Sequence, residues 1–456
     1  LLALGATPAR PCQYTPHPGT TFLGGGHDNV IRCEDSEGLD HCRARCDADS
    51  HCSGFGIYTN GSRAGRCCTK WDNLGPAAWG EGVSYLKQAA PPGCAVQPGP
   101  PVPAPPPSAP VSVSVIFRGN ASFTYNKGAM IELLPDGRIA AACQAGAREG
   151  SQDQRILYTI SDAQGGFDAT NGWVETAPEL ATQGLSQWEP TLFLAPDRTL
   201  WLFFSQGSIA ESHNDSFNLF AQSAGADSAY TRWSPPRLIF NTSLARPARK
   251  KMWPVNRIIT TPGQKDWLLP CDWGCAPPTA AFAMRSSDAG ESWQADAPIP
   301  GTALHSGCPE PAMAVVNSST LLAMVRNTGT GFLQSWSHNN GKSWSAAVPS
   351  GVPGASSKMA LQSLPAAPGA GASTLVMAWS VQSRERMALS TSTDGGESWH
   401  YYATLDNGTA VAPPESSDCY PTVLRVRDSL LTTWSTYDGG PSEANADKGY
   451  ANIKLA

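Results

Sequence analysis

The sequence predicts an all-β propeller preceded by a small disulfide-rich α+β domain. Three observations carry this reading: a hairpin motif that recurs through the C-terminal part of the chain, a composition rich in Gly (44) and Pro (39) with only 15% charged residues, and a cysteine cluster confined to the N-terminal part. Sparse charge with abundant turn formers suits many short strands better than long helices.

The recurring motif is Ser-x-Asp-x-Gly-x-x-Trp. It appears as Ser286, Asp288, Gly290 and Trp293, as Ser337, Asn339, Gly341 and Trp344, and as Ser392, Asp394, Gly396 and Trp399. A degenerate copy opens at Ser161 and ends late at Trp173, and a remnant lies near Trp233. Starts near 161, 223, 286, 337 and 392 give a period of roughly 50–63 residues, the length of a four-stranded blade with its loops. Ser and Asp side chains tie down neighbouring backbone in a tight turn, Gly permits positive φ there, and the indole packs on the blade.

A second repeat runs out of phase with the first. Leu134-Pro-Asp-Gly-Arg-Ile139 and Ala195-Pro-Asp-Arg-Thr-Leu200 read as hairpin turns between apolar strands. Each follows a strand with a polar start, and the full set of starts is Asn126/Lys127, Glu189, Asn256/Arg257, Glu310, Lys358 and Tyr420. Six starts predict six blades. The first strand of each blade lines the central channel, so these side chains are expected to meet at one mouth.

Four regions separate by composition. Residues 1–11 read as a signal-peptide remnant or a disordered N-terminus. Residues 12–94 hold eight of the 13 cysteines, a density that points to a disulfide framework and an oxidising, extracellular location. Residues 95–112 form a Pro-rich, semi-rigid spacer, and residues 113–456 carry the repeats. Sequons at Asn60, Asn120, Asn214, Asn241, Asn317 and Asn407 add to the expectation of a secreted glycoprotein. In the cysteine region, Leu39, Cys42 and Cys46 fall on one face of a short helix, flanked by strand-like Gly54–Tyr58 and Val83–Lys87. This region resembles a PAN/apple domain over roughly residues 20–88. The resemblance implies a binding module for extracellular protein, matrix or carbohydrate, with no chemistry of its own. The adjacent Cys67 and Cys68 read as members of two separate disulfides.

Several function classes are disfavoured. A net charge of −6 gives no electrostatic case for nucleic acid, and the short basic tract Arg246, Arg249, Lys250 and Lys251 reads as a solvated loop. No apolar run is long enough for a membrane-spanning helix. Scattered histidines give little support for a metal, and no cofactor is expected. Cys271 and Cys275 are expected to form a local disulfide, with Cys143 as the candidate free thiol.

Residues 113–456 resemble the sialidase superfamily, in its branch of neuraminidase-like BNR (Asp-box) repeat proteins. The likeness is carried by the Asp boxes, by Gly146-Ala-Arg-Glu-Gly-Ser-Gln-Asp153, by Glu189-Pro-Thr-Leu-Phe-Leu194 with Leu200-Trp-Leu-Phe-Phe204, and by Tyr420-Pro-Thr-Val423. It implies a sialidase-type six-bladed propeller with a Tyr nucleophile, an assisting Glu, an acid/base carboxyl and three arginines on the substrate carboxylate. Matching positions are Tyr420 as nucleophile and Glu310 as its base, with Asp153 as the acid and Glu149 as its rival. Arg326 takes the second-arginine position and Arg384 or Arg386 the third. A neutral phenol suits the task because a carboxylate nucleophile would be repelled by the acid group beside the anomeric carbon. Arginine suits the clamp because its fork matches a carboxylate.

The first-arginine position departs from the pattern: the run is Tyr125-Asn-Lys-Gly128, with Asn126 where the arginine belongs. Lys127 is the nearest positive charge, but strand alternation is expected to point it to the other face. Arg148 could swing in from the loop, and Glu189 and Arg257 complete the polar starts expected to touch substrate. The leading expectation is a secreted glycoside hydrolase acting on an acidic glycan bearing a sialic or uronic acid. The alternatives are a non-catalytic extracellular glycan-binding or structural protein on the same fold, and a polysaccharide lyase.

Overall fold

The computed structural model describes the strands between residues 14 and 87, and residues 112–456 apart from 179–183, 208–216, 246–250, 264–265, 276–278, 304–307, 328–330, 353, 355–356, 366–372, 382–383, 385, 407–417 and 438–450. The chain divides into two compact units, Leu1–Ala109 and Pro110–Ala456. In the first unit, Tyr14–Pro18, Gly82–Lys87, Cys52–Tyr58, Arg66–Trp71 and Arg32–Asp35 form one antiparallel sheet in that order, and Thr21–Phe22 pairs with Pro76–Ala77. The two strand pieces expected at Gly54–Tyr58 and Val83–Lys87 both lie in this sheet. The helix expected around Leu39–Cys46, the N-terminal cysteine pairing and the Pro-rich spacer lie outside the described residues.

The second unit is an all-β propeller. The first sheet is built from Tyr125–Leu133, Ile139–Gly146, Arg155–Ile160 and Val174–Glu175, and the second from Ser186–Leu194, Leu200–Gly207, Phe217–Ala224 and Arg237–Phe240. The third uses Trp253–Pro254, Trp267–Asp272, Ala281–Ser286 and Gln294–Ala295, with Ile259–Thr260 added beside Trp267–Asp272. The fourth runs Pro311–Val315, Leu321–Val325, Leu333–Ser337 and Val348–Pro349, and the fifth Ala360–Leu364, Thr374–Val381, Arg386–Ser392 and His400–Asp406. In the last sheet Cys419–Val426, Ser429–Tyr437 and Ala451–Leu455 are completed by the N-terminal strand Ser114–Arg118. Pairing the two ends of the unit in one sheet closes the circle, and each end is then held by backbone hydrogen bonds to the other.

The turns form for the local reasons the sequence supplies. At Leu134–Arg138 the Gly137 amide donates to the Leu134 carbonyl at 2.9 Å, and Asp136 Oδ1 accepts from the Arg138 amide at 3.1 Å. In the Asp box of the fifth sheet, Ser392 Oγ donates to Asp394 Oδ1 at 2.7 Å and accepts from the Gly396 amide at 2.9 Å, while Asp394 Oδ1 also accepts from the Ser398 amide at 3.0 Å. Gly396 has φ +96°, and a Cβ there would stand 2.5 Å from Leu322 Cδ2 of the fourth sheet. The box glycine therefore answers both a backbone demand and a packing demand.

Apolar side chains from successive sheets interlock. Phe203 and Leu219 of the second sheet pack with Leu269 and Phe282 of the third, and Leu322 and Met324 of the fourth pack with Leu375 and Met377 of the fifth. Between the last and first sheets the cluster is Ile116, Phe117, Leu424, Ile453, Ile131 and Leu157. Further clusters join the first sheet to the second, the third to the fourth and the fifth to the last, so the inner strands of each sheet are buried on both faces, as their near-continuous apolar runs demand.

The cysteine expectation is corrected. Cys275 bonds to Cys308, not to Cys271, and Cys271 is a buried thiol inside the strand Trp267–Asp272. A strand residue pairs sideways into its sheet, while Cys275 has already left the strand and meets the segment leading to Glu310. Cys143 is buried and free, as expected, and burial pushes its thiol up.

Candidate active site

Polar residues at the starts of the first strands meet at one end of the propeller. Glu310 directly precedes Pro311–Val315, and Tyr420 is the second residue of Cys419–Val426. The Tyr420 hydroxyl donates to Glu310 Oε1 at 3.0 Å. Arg326, one residue beyond Leu321–Val325, sends Nη1 to Glu310 Oε2 at 2.7 Å and to the Tyr420 oxygen at 3.0 Å. All three side chains are buried.

Charge around this triangle is dense. Burial pushes the Glu310 carboxyl up, but the cations Arg326, Lys358 and Lys127 outweigh it and leave the group below its ordinary value. Burial and the Glu310 charge hold the Tyr420 phenol well above its ordinary value, against the pull of Lys127 and Arg326. Burial lowers the Arg326 guanidinium, but Glu310 and Tyr420 more than compensate and keep it firmly charged. At neutral pH the site therefore pairs an ionised carboxylate with a neutral phenol, the arrangement a base-assisted oxygen nucleophile needs.

Backbone geometry is unusual at the same place. The first strands of the first, second and last sheets carry bulges opposite Ala142/Gln144, at Trp188/Thr191 and at Cys419/Thr422. The residue that opens each bulge has positive φ: Gly128 (67°), Glu189 (50°) and Tyr420 (57°). For Glu and Tyr this conformation costs energy, and bulges and strained residues concentrate where side chains must be re-aimed. Arg384, at φ 72°, lies with its guanidinium carbon 5.7 Å from the Tyr420 ring centre.

The expectation for Lys127 is corrected. Asn126 Nδ2 turns back to the Phe123 carbonyl at 3.0 Å, while Lys127 Nζ stands 4.2 Å from the Tyr420 ring centre and pairs with Glu149 at 3.1 Å. Alternation between the two residues holds, with Asn126 and Lys127 in regular register opposite Ala145 and Gln144, but it is Lys127 and not Asn126 that faces the site. Glu149 is thereby tied to the cluster. Asp153, on the same loop, accepts the Ala147 amide at 3.1 Å, and Arg148 is exposed. Glu189 accepts from Lys358 Nζ at 2.8 Å, within the cluster. Arg257 is drawn elsewhere: it pairs with Glu132 at 3.0 Å and donates to the Ile131 carbonyl, near the far end of the strand Tyr125–Leu133. Arg386 opens the strand Arg386–Ser392. Of the sequons, Asn120 is exposed, and Asn120, Asn241 and Asn317 accept nearby backbone amides through Oδ1. Asn60, Asn214 and Asn407 lie outside the described residues.

One site residue escaped the sequence, and another was named without a role. Lys358 was legible only as a strand start. Asp272 was hidden within an apolar strand. Its Oδ1 accepts the Gly274 amide at 2.8 Å, its Oδ2 is buried with no hydrogen-bond partner among the described residues, and burial with the nearby Glu310 charge raises the carboxyl well above its ordinary value. Register offered a signal. Trp267 faces Ser286 and Leu321 faces Ser337, so Asp272 and Arg326 occupy equivalent places on the second strands of adjacent sheets. On the same side of the site, Trp188 and Trp253 stack with ring centres 5.5 Å apart. Among the described residues, no group of three or more His, Cys, Asp or Glu could hold a metal ion, and no helix is long and apolar enough to cross a membrane.

The propeller is similar to several solved sialidases. A Trypanosoma rangeli sialidase, solved with the inhibitor DANA, superposes with a TM-score of 0.56 at 13% identity over 75% of this chain. The match spans 59% of that enzyme's length. A Hadza microbial sialidase matches with a TM-score of 0.56 at 13% identity, covering 87% of this chain and 77% of its own. The NanB sialidase of Streptococcus pneumoniae gives 0.56 at 10% identity over 86% and 77% of the two chains. No curated protein matches the sequence. The family model described as a BNR repeat-like domain matches residues 137–433, more than half of the chain. With that match, the chain belongs to the BNR repeat-like family, on a propeller fold shared with these sialidases.

Proposed function

We propose that the chain is a secreted sialidase-like glycoside hydrolase that removes an acidic sugar from a glycan, on a propeller of six blades. The observation that carries this reading is the buried triangle of Tyr420, Glu310 and Arg326, with contacts of 3.0, 2.7 and 3.0 Å. Tyr420 Oη attacks the anomeric carbon as its proton passes to Glu310 Oε1, and the bond to the leaving oxygen breaks. The first-sheet loop supplies the acid that protonates the leaving oxygen. Glu149 and Asp153 are its candidates: the Lys127 contact ties Glu149 to the cluster but favours its ionised form. Water then cleaves the tyrosyl–sugar bond, with the same carboxylate as base. Lys127, Arg326 and Arg384 make the surroundings of Tyr420 cationic and suit a sugar carboxylate. Lys127 offers a point charge where a fork would be expected, so a uronic acid is as acceptable as a sialic acid. The N-terminal unit is read as an apple-like module that holds the enzyme near an extracellular protein or matrix partner, and the exposed Asn120 supports the glycoprotein reading.

The test is hydrolysis of fluorogenic sialosides and uronides by the full chain. Turnover is expected in the wild type, with Tyr420→Phe lowering kcat by about 10³-fold or more. A second reading, a non-catalytic glycan-binding propeller, is favoured by the commitment of Arg326 Nη1 to Glu310 and Tyr420. Binding of acidic glycans without turnover would establish it in place of the first. Absorbance from an unsaturated uronate would indicate a lyase.

A further inference from the structure

Lys358 reaches across the propeller. It precedes the first strand of the fifth sheet, yet its Nζ contacts Glu189 Oε2 of the second sheet at 2.8 Å and the Val255 carbonyl of the third at 2.7 Å. Lys358 is 1% exposed and Glu189 3%, and Nζ lies 5.1 Å from the Tyr420 ring centre. Asn256 runs alongside, donating to the Pro311 and Met359 carbonyls at 3.0 Å each. Lys358 and Asn256 thus bridge first strands of several sheets, and the Tyr420–Glu310 pair lies beside them.

From this geometry we infer that Lys358 and Glu189 are positioning residues that set the protonation state of the Glu310–Tyr420 pair. The inference rests on the hydrolase reading for its kinetic consequence, though not for its electrostatic one. Glu189 opens the bulge of its strand at φ 50°, and this re-aimed side chain is the one that meets Lys358. Gly128, at φ 67°, would bring a Cβ to 3.5 Å from Glu189 Oε2, so the neighbouring first strand lies close against the pair. The groups that bear on Lys358 and Glu310 are Glu189 from the second sheet, Asp272 from the third, Arg326 from the fourth, Lys127 from the first and Tyr420 from the last. In this set Lys358 stabilises the Glu310 carboxylate; Glu189, whose carboxyl burial raises against the pull of Lys358, anchors Lys358 and in its ionised form opposes Glu310 with a like charge. The two members of the pair therefore act on Glu310 with opposite sign.

That opposition is measurable. Glu310 must be ionised to accept the Tyr420 proton, so its titration sets the acidic limb of the kcat/KM profile. In Lys358→Met the limb moves up by about one pH unit or more, in Glu189→Gln it moves down, and in Lys358→Arg it stays near the wild-type position. Carbon-13 titration of the Glu310 carboxyl, assigned with Glu310→Gln, reads the same shifts without turnover. If Lys358→Met fails to fold, Glu189→Gln and Lys358→Arg still report the sign. Both substitutions lowering the melting temperature with an unmoved Glu310 titration would reduce the pair to a structural bridge and overturn the inference. An inactive wild type whose Glu310 titration shifts as described would sink the hydrolase reading alone.

Discussion

The Asp boxes and the axial cluster use the same kinds of polar contact at opposite scales of the chain. In the boxes, Ser286 bonds Asp288 two residues away and the Gly290 amide four residues away. In the axial cluster, Tyr420 meets Glu310 across 110 positions and Lys358 meets Glu189 across 169. The boxes border solvent: Asp288 is exposed, and its own hydroxyl and amide partners hold its carboxyl down at about 2. The axial carboxyls are dry, and only surrounding cations keep Glu310 ionised. The difference shows that a repeated local turn builds the scaffold, while the axis concentrates charge that no single sheet could hold.

The sharpest test of this contrast is Arg326→Met. Removing the guanidinium leaves Glu310 buried beside Glu189 and Asp272, and a loss of about 3–5 kcal/mol in denaturant unfolding is expected. Gly396→Ala comes next. It forces alanine to φ +96° with Cβ 2.5 Å from Leu322, and a loss of about 1–3 kcal/mol is expected. If the two losses were equal, the distinction between scaffold and axis would fail.

Asp272→Asn acts in the opposite direction. The folded state holds the Asp272 carboxyl well above its ordinary value, so its favourable contribution is complete below the unfolded value near about 4 and is lost as pH rises above it. The amide removes that loss, so melting temperature against pH should rise relative to wild type above about pH 4 and coincide with it below. Asp288→Asn is the smallest change. Asp288 is depressed in the folded state, so its contribution is present above about pH 4 and disappears as pH falls towards about 2. Wild type and variant should therefore converge in acid, which a melting series would check.

How far the site was legible follows from how each residue was signalled. Glu310, Arg326 and Tyr420 could be placed because strand starts and ends are marked by polar residues beside apolar runs and prolines. Lys127 was assigned to the far face because the likeness put Asn126 on the near one; alternation holds, but which of the two faces the site is set by sheet register, which the sequence does not mark. Arg257 carried the same polar-start signal as Lys358, yet it pairs with Glu132 near the other end of a strand. Asp272 has no local mark, since apolar residues surround it and only sheet register relates it to Arg326.

By itself the sequence determined the turns, the period of the repeat and the set of polar residues offered to the axis. These follow from interactions within a few residues, where Ser, Asp and Gly have fixed conformational preferences. Tertiary structure alone decided which of those residues meet, which cation faces Tyr420, and which carboxyls are stripped of water. Those outcomes depend on closing the circle between Ser114–Arg118 and Ala451–Leu455 and on bulges within the first strands. A shift of one residue in either would carry a buried charge to the wrong face.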